Sequence, residues 1–262
     1  MEPAILFRNN PDIQDEVEAA QKYLPVLFSR SLCSDKLIVG RYSCLPFYKE
    51  LEEDLKYNNC RLINTYKQHR WIANFEYYEQ LKDYTPETWS ADEWYKCTYD
   101  GPFVLKGRTN SRKHQWSTRM FAANRDVANE IATELYADTM IGEQDILFRK
   151  YVPLKTFEYG IGGMPFANEW RFFYLGARRL SYGYYWSIAD DIESPVITEE
   201  GLDLADEVAR IAAKHANFFV VDVAEKQDGG WVVIELNDGQ MSGLSENNPD
   251  LLYSNLSLAL KC

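Results

Sequence analysis

Residues 218–237 read FFVVDVAEKQDGGWVVIELN: two apolar runs flank Asp228-Gly229, a dipeptide that favours a tight hairpin turn. With Asp228 and Gly229 as the central turn residues, Asp222 falls opposite Glu235. Side chains alternate along a strand, so Asn237 projects from the same face as Glu235. Directly opposed residues have Cβ atoms about 4.5–5.5 Å apart, where like charges repel unless something compensates. A divalent cation compensates, and three converging oxygen donors suit Mg2+ or Mn2+. Moving the turn to Gly229-Gly230 would pair Asp222 with Asn237 and leave all three on one face. Phe218, Val220 and Val233 are expected on that face too, so the acids rise from a largely apolar surface and need partners. The plain alternative is a solvated hairpin that happens to carry acids on its outer face.

Working outward, Leu202 to His215 reads as an amphipathic helix with Leu204, Val208, Ile211 and Ala212 on one face. Before it, Trp170 to Leu175 and Leu180 to Trp186 read as an antiparallel strand pair around Gly176, rich in the aromatic residues that favour pleated surfaces. Tyr182, Tyr184 and Trp186 alternate at strand spacing, which is one face of a sheet more often than a binding platform. Gly160, Gly162 and Gly163 form a connection, Ile146 to Val152 an extended segment, Asn124 to Tyr136 a helix, and Phe103 to Leu105 a buried strand ending in Lys106-Gly107. Between the last two lies a basic stretch, Arg108 to Arg119.

The first third alternates strand and helix. Ala4 to Phe7, Leu37 to Val39 and Arg61 to Ile63 read as strands, Ile13 to Tyr23 and Phe47 to Tyr57 as helices, and this order favours a parallel sheet. A helix over Lys67 to Leu81 leads to a Thr85-Pro86 turn, with a boundary near Trp89.

The 262-residue chain is 46% hydrophobic and 26% charged, with a net charge of −12, an ordinary globular balance that argues against nucleic acid or an anionic membrane as partner. The cationic stretch from Arg108 therefore points to one discrete anionic ligand. Cys33, Cys44, Cys60, Cys97 and Cys262 contain no Cys-x-x-Cys pair, which argues against a disulfide framework or zinc site. His69, His114 and His215 stand in no metal spacing. Without a signal sequence or long apolar run, a cytoplasmic location is expected.

Phe219-Val220-Val221-Asp222-Val223 followed by Trp231 to Asn237 resembles the Asp…Glu-x-Asn metal hairpin of the ATP-grasp superfamily, including ligases of the ribosomal-protein-modifying and tubulin tyrosine ligase kinds. Other pieces follow in the family's order from Ile63 to Gly243. Phe103 to Lys106 resembles the strand whose lysine contacts nucleotide phosphates, and Ile146 to Val152 the hinge strand that holds adenine by its backbone. Glu169-Trp170-Arg171-Phe172 resembles the acid-x-Arg strand whose arginine reaches the terminal phosphate. Arg70 stands where an earlier lysine is common, and Ala167-Asn168 stand where a lysine often precedes the acid-x-Arg strand; Lys150 or Lys155 could supply that charge. The Glu-Trp-Arg and Glu-Leu-Asn-Asp-Gly-Gln spellings are similar to a compact clade named for an arginine-to-lysine exchange and frequent in phages, which would place the protein in a host cytoplasm.

The resemblance implies an α/β (α+β) ATP-grasp fold: a small N-terminal parallel α/β subdomain (1–89), then two α+β subdomains (90–150 and 151–262) that clamp ATP between antiparallel sheets. It implies an ATP-dependent ligase joining a small-molecule or peptide carboxylate to an amine through an acyl phosphate. Asp222, Glu235 and Asn237 would hold Mg2+ or Mn2+. Lys106 and Arg171 would act on the phosphates, and Arg70, Arg112, Lys113, Arg149, Lys150, Tyr151 and Val152 would help hold the nucleotide. Arg41, Tyr42, Arg178 and Arg179 are candidates for a substrate carboxylate. Rival readings are an ATP-sensing assembly factor with the same pocket, and a carbohydrate-binding module built on the aromatic strands.

Overall fold

The structure is a computed structural model that describes residues 1–139, 141–186 and 195–261; Cys262 lies outside the described residues. β1 (Glu2–Phe7), α1 (Gln14–Gln21), β2 (Val26–Leu27), β3 (Lys36–Arg41), α2 (Tyr48–Tyr57) and β4 (Arg61–Leu62) follow the expected alternation with one short strand, β2, added before β3. Their strands form one parallel sheet in the order β2-β1-β3-β4. Ala4, Ile5, Leu6 and Phe7 are all buried, the continuous apolar run of a strand covered on both faces.

The single helix expected over Lys67 to Leu81 is instead two, α3 (Tyr66–Ala73) and α4 (Tyr78–Leu81). A capping box between Thr65 and Gln68 starts α3. Phe75 takes a left-handed backbone with φ of 62°, which no helix can continue through. The break lets Trp71 and Ile72 from one helix and Tyr77 and Leu81 from the other enter the same core.

A second sheet contains β5 (Thr88–Ser90), β6 (Phe103–Gly107), β7 (Phe121–Ala122) and β8 (Ile146–Lys150), antiparallel in the order β5-β8-β6-β7. Two helices, α5 (Trp116–Arg119) and α6 (Arg125–Tyr136), accompany it. Asn124 caps α6 by accepting from the Val127 N–H. Ala128, Ile131, Ala132 and Leu135 of α6 pack on Phe103, Leu105, Ile146 and Phe148. Phe103 and Leu105 therefore face the helix, and Val104 and Lys106 face the opposite way.

The third part opens with a hairpin, β9 (Thr156–Tyr159) and β10 (Pro165–Ala167), whose tip carries the three glycines. Then follow β11 (Glu169–Leu175), β12 (Arg178–Tyr184), α7 (Glu199–Ala212), β13 (Phe218–Glu225), β14 (Trp231–Asp238) and α8 (Pro249–Ala259). The sheet runs β12-β11-β13-β14, antiparallel throughout. α7 covers one face through Ala205, Val208, Ala209 and Ala212. Leu204 and Ile211, expected at the centre of that stripe, are only partly buried at its flanks, because small residues let the helix axis approach the sheet. On the other face Phe173, Leu180, Phe218 and Val220 share a core with α8 and with Ile5, Phe7 and Val39 of the first sheet.

Asp222 does lie opposite Glu235, but by a longer route than a two-residue turn. Next to the turn Glu225 pairs with Trp231 and Val223 with Val233, and an extra residue, Ile234, bulges before Glu235 meets Asp222. The bulge corrects one expectation: Val233 sits on the α7 face with Val221 and Val223, not on the face of the acids. Phe218 and Val220 are on the acids' side as read.

Candidate functional site

The register places Arg171 opposite Asp222 and Asp222 opposite Glu235, one row across three strands. Lys106 arrives from the facing sheet and ion-pairs with Glu235. Glu169 lies two residues before Arg171 on the same strand and hence on the same face. The row lies at one end of a pocket between the two antiparallel sheets, which Lys106, Lys113, Glu169 and Glu235 line. Val104, Trp116, Met120, Val152, Met164 and Ile234 make its apolar walls.

The charges are largely out of water. Asp222 is fully buried and is held bidentately by Arg171, Nε to Oδ1 at 2.9 Å and Nη2 to Oδ2 at 2.8 Å. Asn237 Nδ2 donates to Asp222 Oδ2 at 3.2 Å. Burial pushes the Asp222 carboxyl up and Arg171 opposes it. Burial would likewise raise Glu235, but Lys106 and Lys113 overcome it and hold that carboxyl well below the usual range. Glu169 lacks such a close partner: burial pushes it up to about 7 against the opposing pull of Lys113. Lys113 is threaded into the same site, with Nζ 2.5 Å from the Tyr185 hydroxyl and over the Trp186 ring at 4.9 Å. Burial works against its charge, but Tyr185, Glu169 and Glu235 together keep it protonated. Tyr185 also carries Arg171 over its ring at 4.6 Å.

Of the residues expected in the site from the sequence, Lys106, Lys113, Arg149, Lys150, Tyr151, Val152 and Glu235 line this pocket. Asp222, Arg171 and Asn237 adjoin it through the contacts above. Arg149 ties strands together: it donates to Thr85 Oγ1 at 2.7 Å and to the Ile234 carbonyl at 2.7 Å. The Lys150 and Tyr151 N–H groups bond to the Glu87 and Pro102 carbonyls. Arg70 is half exposed on α3 and lines a neighbouring cleft instead. Arg112 is clamped by Asp138.

The four candidates for a substrate carboxylate are not gathered at the site. Arg41 is buried in an ion pair with Glu16 at 2.8 Å and bonds to the Gly239 carbonyl, which joins the first sheet to the third. Tyr42 lies under Arg8. Arg179 faces α7, 3.8 Å from Asp206, and Arg178 is exposed at the β11–β12 turn. Tyr182 stacks on Phe172 and Tyr184 donates to the Ala167 carbonyl at 2.9 Å, whereas Trp186, read as the third residue of that face, lies beyond β12 and stacks on Phe166.

One participant, Tyr185, is absent from the sequence reading, and Glu169 is present there only as the acid of the acid-x-Arg strand, since nothing in the sequence gives its burial. Tyr185 had no signal, because its direction depends on how the chain leaves β12.

The residue types fit a divalent cation, two carboxylates and one amide on one sheet face, provided that Asn237 turns its oxygen in place of the Nδ2 that now points at Asp222. Among the described residues no cluster of three His, Cys, Asp or Glu side chains has metal-ligand geometry. Among the described residues no helix is long and apolar enough to cross a membrane.

A family model described as an ATP-grasp domain, family 3 of the clade named for an arginine-to-lysine exchange, matches residues 91–256. No curated protein matches. Among solved structures, the D-cycloserine synthetase DcsG superposes with a TM-score of 0.64 at 15% identity, covering 99% of each chain. The D-alanine–D-alanine ligase of Bacillus anthracis complexed with ATP gives 0.60 at 13% identity, over 100% of this chain and 99% of that one. The ATP-grasp ligase PsnB with its minimal precursor gives 0.60 at 11% identity over 100% of both chains. At such identities the likeness is one of fold.

Proposed function

This chain belongs to the ATP-grasp superfamily, in family 3 of the arginine-to-lysine clade, and from that premise we propose that it is an ATP- and Mg2+-dependent ligase that joins a carboxylate to an amine through an acyl phosphate. One observation carries the reading: Lys106 and Lys113 converge on Glu235 and Glu169 at the end of an apolar pocket, one strand away from the Arg171–Asp222 pair. The pocket walls suit a purine, and the Val152 backbone beyond β8 is the edge available to its base. The charged end suits a triphosphate.

Asp222, Glu235 and Asn237 would hold the metal, which when bound neutralises charge on the phosphate oxygens. Lys106, released from Glu235, and Lys113, from its seat on the Tyr185 hydroxyl, would then meet the phosphates, both in place before the reaction. Arg171 opposes the burial that pushes the Asp222 carboxyl up, and it donates from Nη1 to the Gly243 carbonyl. With water excluded from so buried a row, the acyl phosphate is guarded from hydrolysis until the amine arrives. The division into parts 1–89, 90–150 and 151–262 belongs to the same proposal, as does a cytoplasmic location.

Incubation with ATP, Mg2+ and mixed amino acids tests it. Release of ADP and phosphate that requires both a carboxylate and an amine supports a ligase. ATP binding without turnover across a broad panel of both would refute it in favour of a nucleotide-sensing factor.

A further inference from the structure

Beyond Glu235 a separate cleft opens, which shares no lining residue with the apolar pocket. Two residues further along β14 and on the same face, about 7 Å away at strand rise, Asn237 lines this second cleft together with Asp238 and His69. That cleft runs into a larger one of about 450 Å³, and the two share Leu45, His69, Ala73, Arg108, Thr109 and Asn110. It lies between α3, the 43–45 segment and the strand end of β6, on the far side of the metal-ligand row from the apolar pocket.

His69 is held in that wall with unusual firmness. Its ring stacks flat on Tyr48, 4.0 Å between centroids and 6° between planes, and Nδ1 is 3.0 Å from Asp238 Oδ2. Asp238 is itself fixed, Oδ1 accepting from Asn64 Nδ2 and from the Gln240 N–H at 3.0 Å each. Every neighbour of this carboxylate donates to it, so Nδ1 carries the imidazole proton and the basic lone pair is on Nε2. His69 is only 3% exposed, and what surface it keeps is in the lining of the cleft. The nucleotide chemistry above makes no use of this pair. Across the cleft, Arg108 pairs with Asp145 at 2.5 Å through Nη2, while its buried Nε has no hydrogen-bond partner. An oxygen acceptor on a bound molecule would satisfy it.

We infer that this cleft takes the amine substrate, an amino acid whose carboxylate or carbonyl oxygen meets Arg108, and that His69, oriented by Asp238, removes the proton that frees its amino group. The inference rests on the ligase reading and deepens it. The entering ammonium gives one proton to Nε2. The freed nitrogen lone pair forms the C–N bond to the acyl carbon, the C–O bond to the phosphoryl group breaks, and its electron pair leaves with the phosphate. The second N–H proton goes to that departing phosphate, and the imidazolium returns its proton to solvent when the amide leaves. Asp238 is a positioning residue here, since it acts only through His69.

The test uses the full chain with ATP, Mg2+ and the twenty amino acids, with and without hydroxylamine, a nucleophile that is neutral near pH 7 and needs no base. Hydroxamate reports the acyl phosphate, and amide reports transfer to the amine. In His69→Gln hydroxamate should stay within about twofold of the wild type while amide falls about 100-fold or more, the range expected for a lost general base. Amide formation near the wild-type rate, or equal loss of both products, would overturn the inference. If the wild-type protein makes neither product, the ligase reading fails and takes this inference with it. Ala73→Trp, which fills the shared cleft, is an independent arm: KM for the amine should rise at least about tenfold with KM for ATP unchanged, and an unchanged amine KM would count against the cleft.

Discussion

Arg171 grips both carboxylate oxygens of Asp222 from the adjacent strand, its Nε and Nη2 each within 3 Å. Both groups are almost wholly out of water, so each is tolerable only because of the other. Arg171→Met should therefore cost about 3–5 kcal/mol, the usual penalty for leaving one buried ion unpaired. Arg171→Met combined with Asp222→Leu should recover most of that loss while remaining unable to turn over ATP. Urea midpoints for the two single variants and the double variant decide it: additive losses would mean that the two residues do not act as a pair.

Glu235 is balanced by Lys106 and Lys113 and stays ionised through the neutral range. Glu235→Gln keeps the shape but removes a proposed ligand charge. ADP release should fall about 100-fold or more, comparable to loss of a principal electrostatic contact in an active site, and the Mg2+ dependence should shift to higher concentration. Circular dichroism should remain that of the wild type. Near-normal turnover with an unaltered Mg2+ requirement would remove Glu235 from the metal site.

Much of this is legible in the sequence, and the reason is local. Asp228-Gly229 between two apolar runs fixes a hairpin, and strand periodicity then puts Asp222, Glu235 and Asn237 on one face. What escaped were features set by contacts distant in the chain. The bulge at Ile234 turns Val233 to the helix side, and no residue type there announces it. Phe75 breaks the helix over 67–81 by a left-handed backbone that a phenylalanine does not advertise. Arg41 reads as a strand-end cation, yet Glu16 and Gly239 occupy it. His69 and Asp238, 169 residues apart, become neighbours only in the fold.

Glu169 gives the pH dependence. Its carboxyl is raised from 4.5 to about 7 by burial, so the folded state binds a proton more tightly than the unfolded one. That stabilisation is fully present below about pH 4.5 and is lost as pH rises through about 7. The loss is on the order of 1–3 kcal/mol. Glu169→Gln, which cannot ionise, should therefore have a Tm that gains on the wild type between pH 5 and pH 8 without bound nucleotide. A difference in Tm that stays flat across this range would show that Glu169 is ionised throughout.

Gly162 and Gly163 sit side by side at the tip of the β9–β10 hairpin, both left-handed, with φ of 70° and 79°. A side chain at either costs about 1–2 kcal/mol of backbone strain. Only at Gly162 would the added Cβ strike a neighbour, lying 2.5 Å from the His114 carbonyl oxygen, whereas nothing lies within 4 Å of one at Gly163. His114 follows Lys113, whose ammonium depends on its seat beside Tyr185, Glu169 and Glu235. Gly162→Ala should therefore push the 113–116 segment and raise KM for ATP several-fold, while Gly163→Ala, with the same strain and no collision, should leave KM for ATP unchanged and lower Tm to a similar extent. Paired measurements of Tm and of ATP-dependent ADP release separate the two effects. Equal KM values in the two variants would mean that the hairpin tip does not hold Lys113 in place, and the basic stretch would then have to be positioned by its own contacts with Asp138 and Asp145.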